Sequence, residues 1–308
     1  PTNAFDKAYL ARFLGSLYVE KNPEKAIKYL KEAIKPDILS FTDQAAALRN
    51  LADLSIMAKK YQDAIGYYNK WLDFTGELDP NVEMRIANCF YEMKQFNKVI
   101  APADRAIAHF KEPKKEPYIM KYASYYELKQ TKKVIEVLEE AVVIFPKEKT
   151  FWVQLGNFYS ADEQFAKALA VIDMAYKQGY LTTENEIKLL ANLYNNNNVP
   201  YKAAATLEKH LKSGLVKKDR AILMSIASSY NSAREFEKAA AFFGQAAQLS
   251  SEGDIYRRQG NAYLMANKNA DAVTALQKAL ELGVKDKGKV HVDLISAYFF
   301  QGKMREAY

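Results

Sequence analysis

Apolar and small residues recur along this chain at two nested spacings. Within short segments the apolar positions lie three or four residues apart, which is the period of an amphipathic helix. The clearest example is the series Trp152, Leu155, Gly156, Tyr159, Ala168 and Ala175. Its glycine and alanines allow two helices to approach closely, while the aromatic and aliphatic side chains fill the space beside them. The series therefore predicts a helix–turn–helix repeat.

The same series, complete or partial, occurs nine times along the sequence. The repeats begin near residues 8, 45, 80, 116, 149, 184, 220, 253 and 288. A period of about 34 residues is that of tetratricopeptide repeats. The first repeat is one residue short between its helices. The repeat near 116 fits loosely, with Ala123 in the small-residue position and Tyr126 in the aromatic position.

One helix pair cannot bury both of its faces, so successive pairs are expected to stack on one another. We therefore predict an all-α fold, a right-handed superhelical solenoid of about nine tetratricopeptide helix–turn–helix repeats. It should span residues 1–308 as a single array, with the first helix of each pair lining the concave side. The segment 111–117 is a candidate bend. The last repeat stops at Tyr308 inside its second helix, so we expect the array to be truncated there.

Composition narrows the class of protein. Hydrophobic residues make up 49% and charged residues 26%, so the chain can bury a core and is not a disordered tail. The single cysteine, Cys89, excludes an internal disulfide framework and a multi-thiolate metal site. No apolar run is long enough for a transmembrane helix. The net charge of +7 is shared almost equally by the two halves, which disfavours nucleic-acid binding.

A row of small polar residues follows the small-residue position on each first helix, where the concave groove is expected. The row consists of Ser16, Asp53, Asn88, Ser124, Asn157, Asn192, Ser228, Asn261 and Ser296. Such side chains can bond the N–H and C=O groups of an extended peptide without demanding a particular sequence. We therefore predict that this row contacts a partner segment. The alternative is that these side chains are simply solvated.

Basic residues lie three or four positions before this row, on the same predicted face. They are Arg12, Arg49, Arg85, Lys121, Lys188, Arg257 and Arg258. A basic groove suits an acidic segment or a terminal carboxylate. A dicarboxylate clamp of the chaperone-binding type begins with Lys188 and Asn192, but Ala221 and Ser225 do not complete it.

Catalytic motifs are missing from the sequence. His109, His210 and His291 fall in different repeats, and no metalloprotease, nucleophile-elbow or phosphate-loop motif is present. His210 occupies a position between helices and Cys89 lies within a first helix, so both are interpreted as packing residues. We expect no enzymatic activity, no cofactor and no metal.

The second half carries a more specific resemblance. The segments MAYKQGYL (174–181) and VPYKAA (199–204) are similar to the TtpA-like tetratricopeptide proteins encoded with TonB-type energy-transduction clusters of Gram-negative bacteria. The resemblance covers roughly 151–308, and the sequence departs from it in the asparagine-rich loop Asn195–Asn198. It implies a periplasmic protein, made with a signal peptide, that supports a TonB–ExbB–ExbD system in iron–siderophore uptake. It implies no catalytic residues.

The functional prediction is therefore a non-enzymatic scaffold whose groove holds an extended partner segment, with TonB, ExbB/ExbD or associated envelope proteins as partners. Three alternatives remain open at this point. The first alternative is a cytoplasmic adaptor that binds a carboxy-terminal peptide. The second is the substrate-recruiting region of a larger enzyme. RNA binding is the third, and the even charge disfavours it.

Overall fold

The computed structural model describes residues 3–307, and within that range it contains eighteen α-helices and no strand. The predicted all-α fold of consecutive helix pairs is confirmed. The expected break at Tyr308 lies outside the described residues. The nine pairs are α1 (Ala4–Tyr18) and α2 (Pro23–Ile34), α3 (Phe41–Met57) and α4 (Tyr61–Thr75), α5 (Pro80–Glu92) and α6 (Phe96–His109), α7 (Glu116–Glu127) and α8 (Thr131–Ile144), α9 (Lys149–Ala161) and α10 (Phe165–Lys177), α11 (Glu184–Asn196) and α12 (Pro200–Lys212), α13 (Arg220–Ser232) and α14 (Phe236–Gln248), α15 (Gly253–Met265) and α16 (Asn269–Leu282), and α17 (Lys287–Phe300) and α18 (Met304–Ala307).

The chain divides into two compact units, residues 1–151 and residues 152–308. The first unit contains helices α1 to α8 and the first residues of α9. The second unit contains the rest of α9 and helices α10 to α18. The single array over 1–308 stays a prediction. Segment 111–117, the candidate bend, contains most of the loop between α6 and α7 and the first two residues of α7.

Helix starts agree with the predicted repeat starts to within one residue from the third pair onward. The first two pairs start four residues earlier than predicted, because capping residues precede the repeat pattern. Asn3 Oδ1 accepts the Asp6 amide at 2.7 Å, and Ser40 Oγ accepts the Asp43 amide at 3.2 Å. Both side chains satisfy amide groups that a helix start leaves without partners.

Each first helix of pairs two to nine ends in the same left-handed turn. The turn residue has a positive φ, and it is Lys59, Lys94, Lys129, Glu163, Asn198, Arg234, Asn267 or Gly302. In the α5–α6 turn the Lys94 amide donates to the Tyr91 carbonyl at 2.8 Å, and the Gln95 amide donates to the Phe90 carbonyl at 2.9 Å. This is the Schellman arrangement, which satisfies two carbonyls at a helix end.

The left-handed turns give a prediction about stability. Only Gly302 among the eight turn residues lacks a Cβ, and the other seven hold a conformation that costs an L-residue about 1 kcal/mol or more. We expect Lys94→Gly to raise the free energy of unfolding by about 1 kcal/mol, measured by chemical denaturation. The control is Lys28→Gly in the middle of α2, which should lower it by about the same amount. A loss of stability in both variants would contradict the prediction.

The turns also correct the predicted alignment of the fourth pair. Relative to the turn residue Lys129, the aromatic position falls on Tyr125 and the small-residue position on Tyr122. The predicted pair, Ala123 and Tyr126, is therefore shifted by one residue, and Tyr126 is 60% exposed. Val134 and Ala141, both fully buried, take the places predicted for Ile135 and Val142. The sequence pattern failed here because Tyr122 occupies a position that is Gly or Ala in most other repeats.

The small-residue position works as predicted where it is glycine. A Cβ added to Gly156 would lie 2.3 Å from the Ile172 side chain, and one added to Gly260 would lie 2.6 Å from Leu276. Each glycine and its partner are sixteen residues apart. In the first pair Gly15 faces Leu30, fifteen residues on, which confirms that this repeat is one residue short.

Within each unit, successive pairs are joined by contacts from a second helix to the next first helix. Ile27 and Leu30 of α2 share a buried cluster with Leu51 and Leu54 of α3. The clusters that join α4 to α5 and α16 to α17 have the same build. These contacts leave one side of each first helix accessible, which positions the candidate site.

Candidate functional site

One member of the predicted polar row in the first unit, Asp53, is held by internal partners. Asp53 accepts a hydrogen bond from the Tyr68 hydroxyl and pairs with Arg85 at 3.4 Å. Burial, followed by the Asp53 carboxylate, raises the pKa of Tyr68, so this hydroxyl stays a donor. Asp53 therefore has internal partners for its charge.

The other basic residues that were predicted to line the groove of the first unit, Arg12, Arg49 and Lys121, also have carboxylate partners. Arg49 reaches Asp79 at 3.2 Å across consecutive pairs, and Asp79 also accepts the Asn81 amide at 2.8 Å at the start of α5. Lys121 pairs with Asp104 at 2.7 Å, and only 13% of the lysine side chain is exposed. An acidic partner segment would have to displace these carboxylates, so this surface is less basic than the sequence suggested.

Two members of the row in the first unit behave differently from each other. Asn88 is exposed on α5, as predicted for a groove residue. Ser124 is fully buried, and its Oγ has no hydrogen-bond partner. The prediction that Ser124 lines an accessible groove is therefore corrected. The shift of one residue in the fourth pair places Ser124 where the other repeats carry buried residues such as Cys89 and Ala262.

The second unit presents the row in an accessible form. Asn157 on α9 and Asn192 on α11 are exposed, and their side chains make no hydrogen bond to any residue between 3 and 306. Ser228 on α13 is half-buried and lines a cleft of about 380 Å³ with Asn198 and Ser232. The row continues on α15 with Asn261, whose buried Oδ1 has no partner among the described residues.

Basic residues beside this row are partly committed to internal contacts. Lys188 pairs with Glu184 on its own helix, and Arg257 lies 3.8 Å from Asp254. Arg257 also faces Asp293 of α17, where burial raises the pKa of the Asp293 carboxyl and the nearby guanidinium opposes that shift. Lys188 and Arg257 therefore orient acidic neighbours within the unit.

A cavity of about 560 Å³ lies at the amino-terminal ends of α13, α15 and α17. Three of its cations are paired, namely Arg220 with Glu252, Arg257 with Asp254 and Lys289 with Asp286. Arg258 and Lys285 also line it and form no ion pair with any residue in the described range. This edge of the row therefore carries the excess positive charge that the sequence had assigned to the whole groove.

Lysine side chains that the repeat pattern did not predict cover the aromatic position of several first helices. The pairs are Lys25 with Tyr18, Lys98 with Phe90, Lys167 with Tyr159, Lys202 with Tyr194, and Lys238 with Tyr230. Their ammonium groups lie 5.2–5.8 Å from the ring centroids, within cation–π range. These contacts could have been predicted from the sequence, because each lysine follows its aromatic residue by eight positions, or by seven in the short first repeat.

The residues considered for chemistry have structural contacts. Cys89 is fully buried, and burial raises the pKa of its thiol to about 11, which keeps it protonated. His210 Nε2 lies 3.0 Å from the Tyr176 hydroxyl, and burial lowers the pKa of the imidazole. Within residues 3–306 no group of three or more His, Cys, Asp or Glu side chains could hold a metal ion. None of the described helices is long and apolar enough to cross a membrane.

Comparison with known proteins gives one family match. Residues 15–81 match the model described as tetratricopeptide repeat, which identifies the repeats of this region. A search of curated proteins gives no match.

Three solved structures illustrate the general likeness. A tetratricopeptide protein, YrrB, described as having an unusual peptide-binding site, is 16% identical, with 62% of this chain and 96% of that chain covered and a TM-score of 0.47. The C-terminal part of a tetratricopeptide-repeat protein from Cytophaga hutchinsonii is 16% identical, with 79% of this chain and 98% of that chain covered and a TM-score of 0.45. The TPR2AB domain of yeast Sti1, in a complex with pHSP90, is 16% identical, with 86% of this chain and 99% of that chain covered and a TM-score of 0.44.

Proposed function

We propose that this protein is a protein–protein interaction scaffold that binds an extended partner segment along the first helices of its second unit. The observation that carries the proposal is the accessible row of Asn157, Asn192 and Ser228, which recurs at one position on α9, α11 and α13. Free amides and hydroxyls both donate and accept, so they match the alternating N–H and C=O groups of an extended backbone. The partner segment is held by several weak hydrogen bonds, and this kind of binding requires no catalytic residue.

The energetics of such a row favour a long segment over a short one. A single hydrogen bond contributes about 1 kcal/mol or less in net binding free energy, because it replaces bonds to water. Several contacts are therefore needed to offset the ordering of the partner segment. The unpaired cations Arg258 and Lys285 line the cavity at the amino-terminal ends of α13, α15 and α17. They suit an acidic group at one end of the bound segment.

A finer assignment rests on the resemblance of segments 174–181 and 199–204 to the TtpA-like proteins. On that basis we propose that the partner belongs to a TonB–ExbB–ExbD system and that the protein acts in the periplasm in support of iron–siderophore transport. An extended periplasmic segment of TonB is the kind of ligand that the row fits.

The test is a crosslinking pull-down from Gram-negative envelopes grown under iron limitation. The bait is the wild-type protein or the variant Asn157→Ala/Asn192→Ala/Asn261→Ala. We expect the variant to remain folded by circular dichroism and to recover its row-dependent partner about tenfold less well, a loss of roughly 1.4 kcal/mol. The matched control replaces three side-chain amides away from the row with alanine, namely Gln178 at the end of α10 and Gln245 and Gln248 in α14, and it should recover the partner normally.

The outcomes separate the two levels of the proposal. Loss of TonB, ExbB or ExbD in the triple asparagine variant alone supports the finer assignment. Loss of other proteins in that variant alone contradicts the TonB assignment and leaves the scaffold in place. Equal recovery by the wild-type protein and the asparagine variant overturns the binding row itself.

A further inference from the structure

A cavity of about 480 Å³ lies in the first unit, among α2, α3 and α4 and away from the polar row. Lys31, Lys35 and Lys70 stand at its edge, and Ile34, Leu48, Tyr67, Phe74 and Gln44 complete its lining. Its size falls in the range of ligand-binding cavities. Neither the repeat pattern nor the proposed partner row uses these lysines.

Gln44 is the unusual member of this lining. The residue is 6% exposed, and its Nε2 donates to the Ile34 carbonyl at 3.3 Å and to Asp37 Oδ1 at 3.2 Å. Both acceptors require an N–H donor, so the amide atom that faces them is Nε2 and the other atom is the oxygen, Oε1. That buried oxygen has no partner in the described part of the chain. An unsatisfied buried acceptor is unfavourable, and a ligand N–H that bonds to it would remove that cost.

The cavity has three lysines against two neighbouring carboxylates, Asp37 and Asp63, so its net positive charge favours an anion. Lys35 and Lys70 form no ion pair with described residues, and Lys31 lies 4.0 Å from Asp63, a pair in which both side chains are about half exposed. Lys31 and Lys70 rest near the face of Tyr67, at 5.8 Å and 5.7 Å from the ring centroid. The aromatic ring and the aliphatic walls lower the local polarity, so a carboxylate that meets these ammonium groups is more strongly held than on an open surface.

We propose that this cavity is a second binding site, which takes an acidic segment of a partner protein. One glutamate or aspartate residue supplies both groups that the cavity lacks. Its carboxylate meets the lysines, and its backbone N–H, or that of its neighbour, donates to Gln44 Oε1. The side-chain methylenes pack on Ile34, Leu48 and Phe74. Because the site lies on the first unit, it leaves the polar row of the second unit unoccupied.

The test uses a fluorescein-labelled peptide with four consecutive glutamates, titrated with the full chain and followed by fluorescence anisotropy at low salt. We expect Lys35→Gln/Lys70→Gln to weaken binding at least about tenfold, because two charge-assisted contacts are lost. The control Lys28→Gln/Lys60→Gln removes the same charge from exposed positions in the same two pairs and should weaken binding less than about threefold. The equivalent tetraglutamine peptide should not bind.

A nuclear magnetic resonance titration supplies the second readout. The side-chain amide signal of Gln44 should shift with the glutamate peptide and should not shift with inorganic phosphate at the same charge concentration. Equal losses in the two double-lysine variants would show attraction to overall charge and overturn the proposal. An equal Gln44 shift with phosphate would also overturn it, because the site would then be selective for anions alone. Absence of peptide binding by the wild-type protein has the same consequence.

Discussion

Replacing Arg105 with alanine is expected to lower the free energy of unfolding of the first unit by about 3 kcal/mol. Arg105 of α6 holds Glu83 of α5 through two parallel bonds, Nε to Oε1 at 2.7 Å and Nη2 to Oε2 at 2.8 Å. Glu83 is only 5% exposed, so removing the arginine leaves a buried carboxylate without its counter-ion. Arg105 itself is about half exposed, but removing the counter-ion of a buried carboxylate still costs up to several kcal/mol, because the remaining charge stays largely desolvated.

Urea denaturation of the full chain, followed by tryptophan fluorescence and circular dichroism, measures the effect. The double variant Glu83→Gln/Arg105→Ala should recover a large part of the loss, since a buried amide costs less than a buried charge. Lys133→Ala is the surface control, because its pair with Glu136 is about half exposed on both sides and should leave the unfolding midpoint unchanged. If Arg105→Ala leaves the unfolding midpoint as unchanged as Lys133→Ala does, the Glu83 carboxylate does not depend on Arg105 and the prediction is wrong.

Replacing Gly253 with alanine should also destabilise the protein by about 3 kcal/mol, in this case by overpacking. A Cβ at this first residue of α15 would lie 2.3 Å from the Gly283 carbonyl oxygen and 2.4 Å from that of Ala279. Both obstacles are backbone atoms, so no side-chain rotation relieves the clash and α15 must move away from the end of α16. Overpacking usually costs 1–3 kcal/mol, and a backbone obstacle places this variant at the upper end.

The comparison for this variant is Gly66→Ala in α4. An added Cβ at Gly66 meets nothing within 4 Å, so the substitution should raise the free energy of unfolding by about 0.5–1 kcal/mol through helix propensity. Thermal unfolding of the two variants and the wild-type protein should therefore give shifts of opposite sign. Equal midpoints for Gly253→Ala and wild type would mean that α15 and α16 are not in close contact at this point.

The repeats could be located from the sequence because their small residues serve a local purpose. Gly15, Gly156 and Gly260 face Leu30, Ile172 and Leu276 at short range, and any larger residue would push the two helices of a pair apart. Each constraint acts within about 16 residues, so it leaves a trace in the local spacing. The trace is weak in the fourth pair, where Tyr122 takes the small-residue position and the predicted alignment moved by one residue.

The candidate site was less predictable, because accessibility depends on which partner a side chain finds in another pair. Asp53 and Asn192 occupy the same position of their repeats, yet Asp53 is held by Tyr68 and Arg85 while Asn192 has no side-chain partner in the described range. Ser124 was assigned to an accessible face and is buried. A sequence position gives the face of a helix only if the alignment is right to within one residue.

The sequence by itself determined the helices, their pairing and the nine repeats, because these follow from residue size and the helical period over short distances. The tertiary structure alone decided which charges are neutralised, since Arg49 and Asp79, Arg105 and Glu83, and Lys121 and Asp104 are brought together by packing between helices. It also decided which polar groups have no hydrogen-bond partner in the described range, namely the side-chain amides of Asn157 and Asn192 and the Oε1 atom of Gln44. Side-chain partners across helices are set by three-dimensional distance, which a period along one chain does not encode.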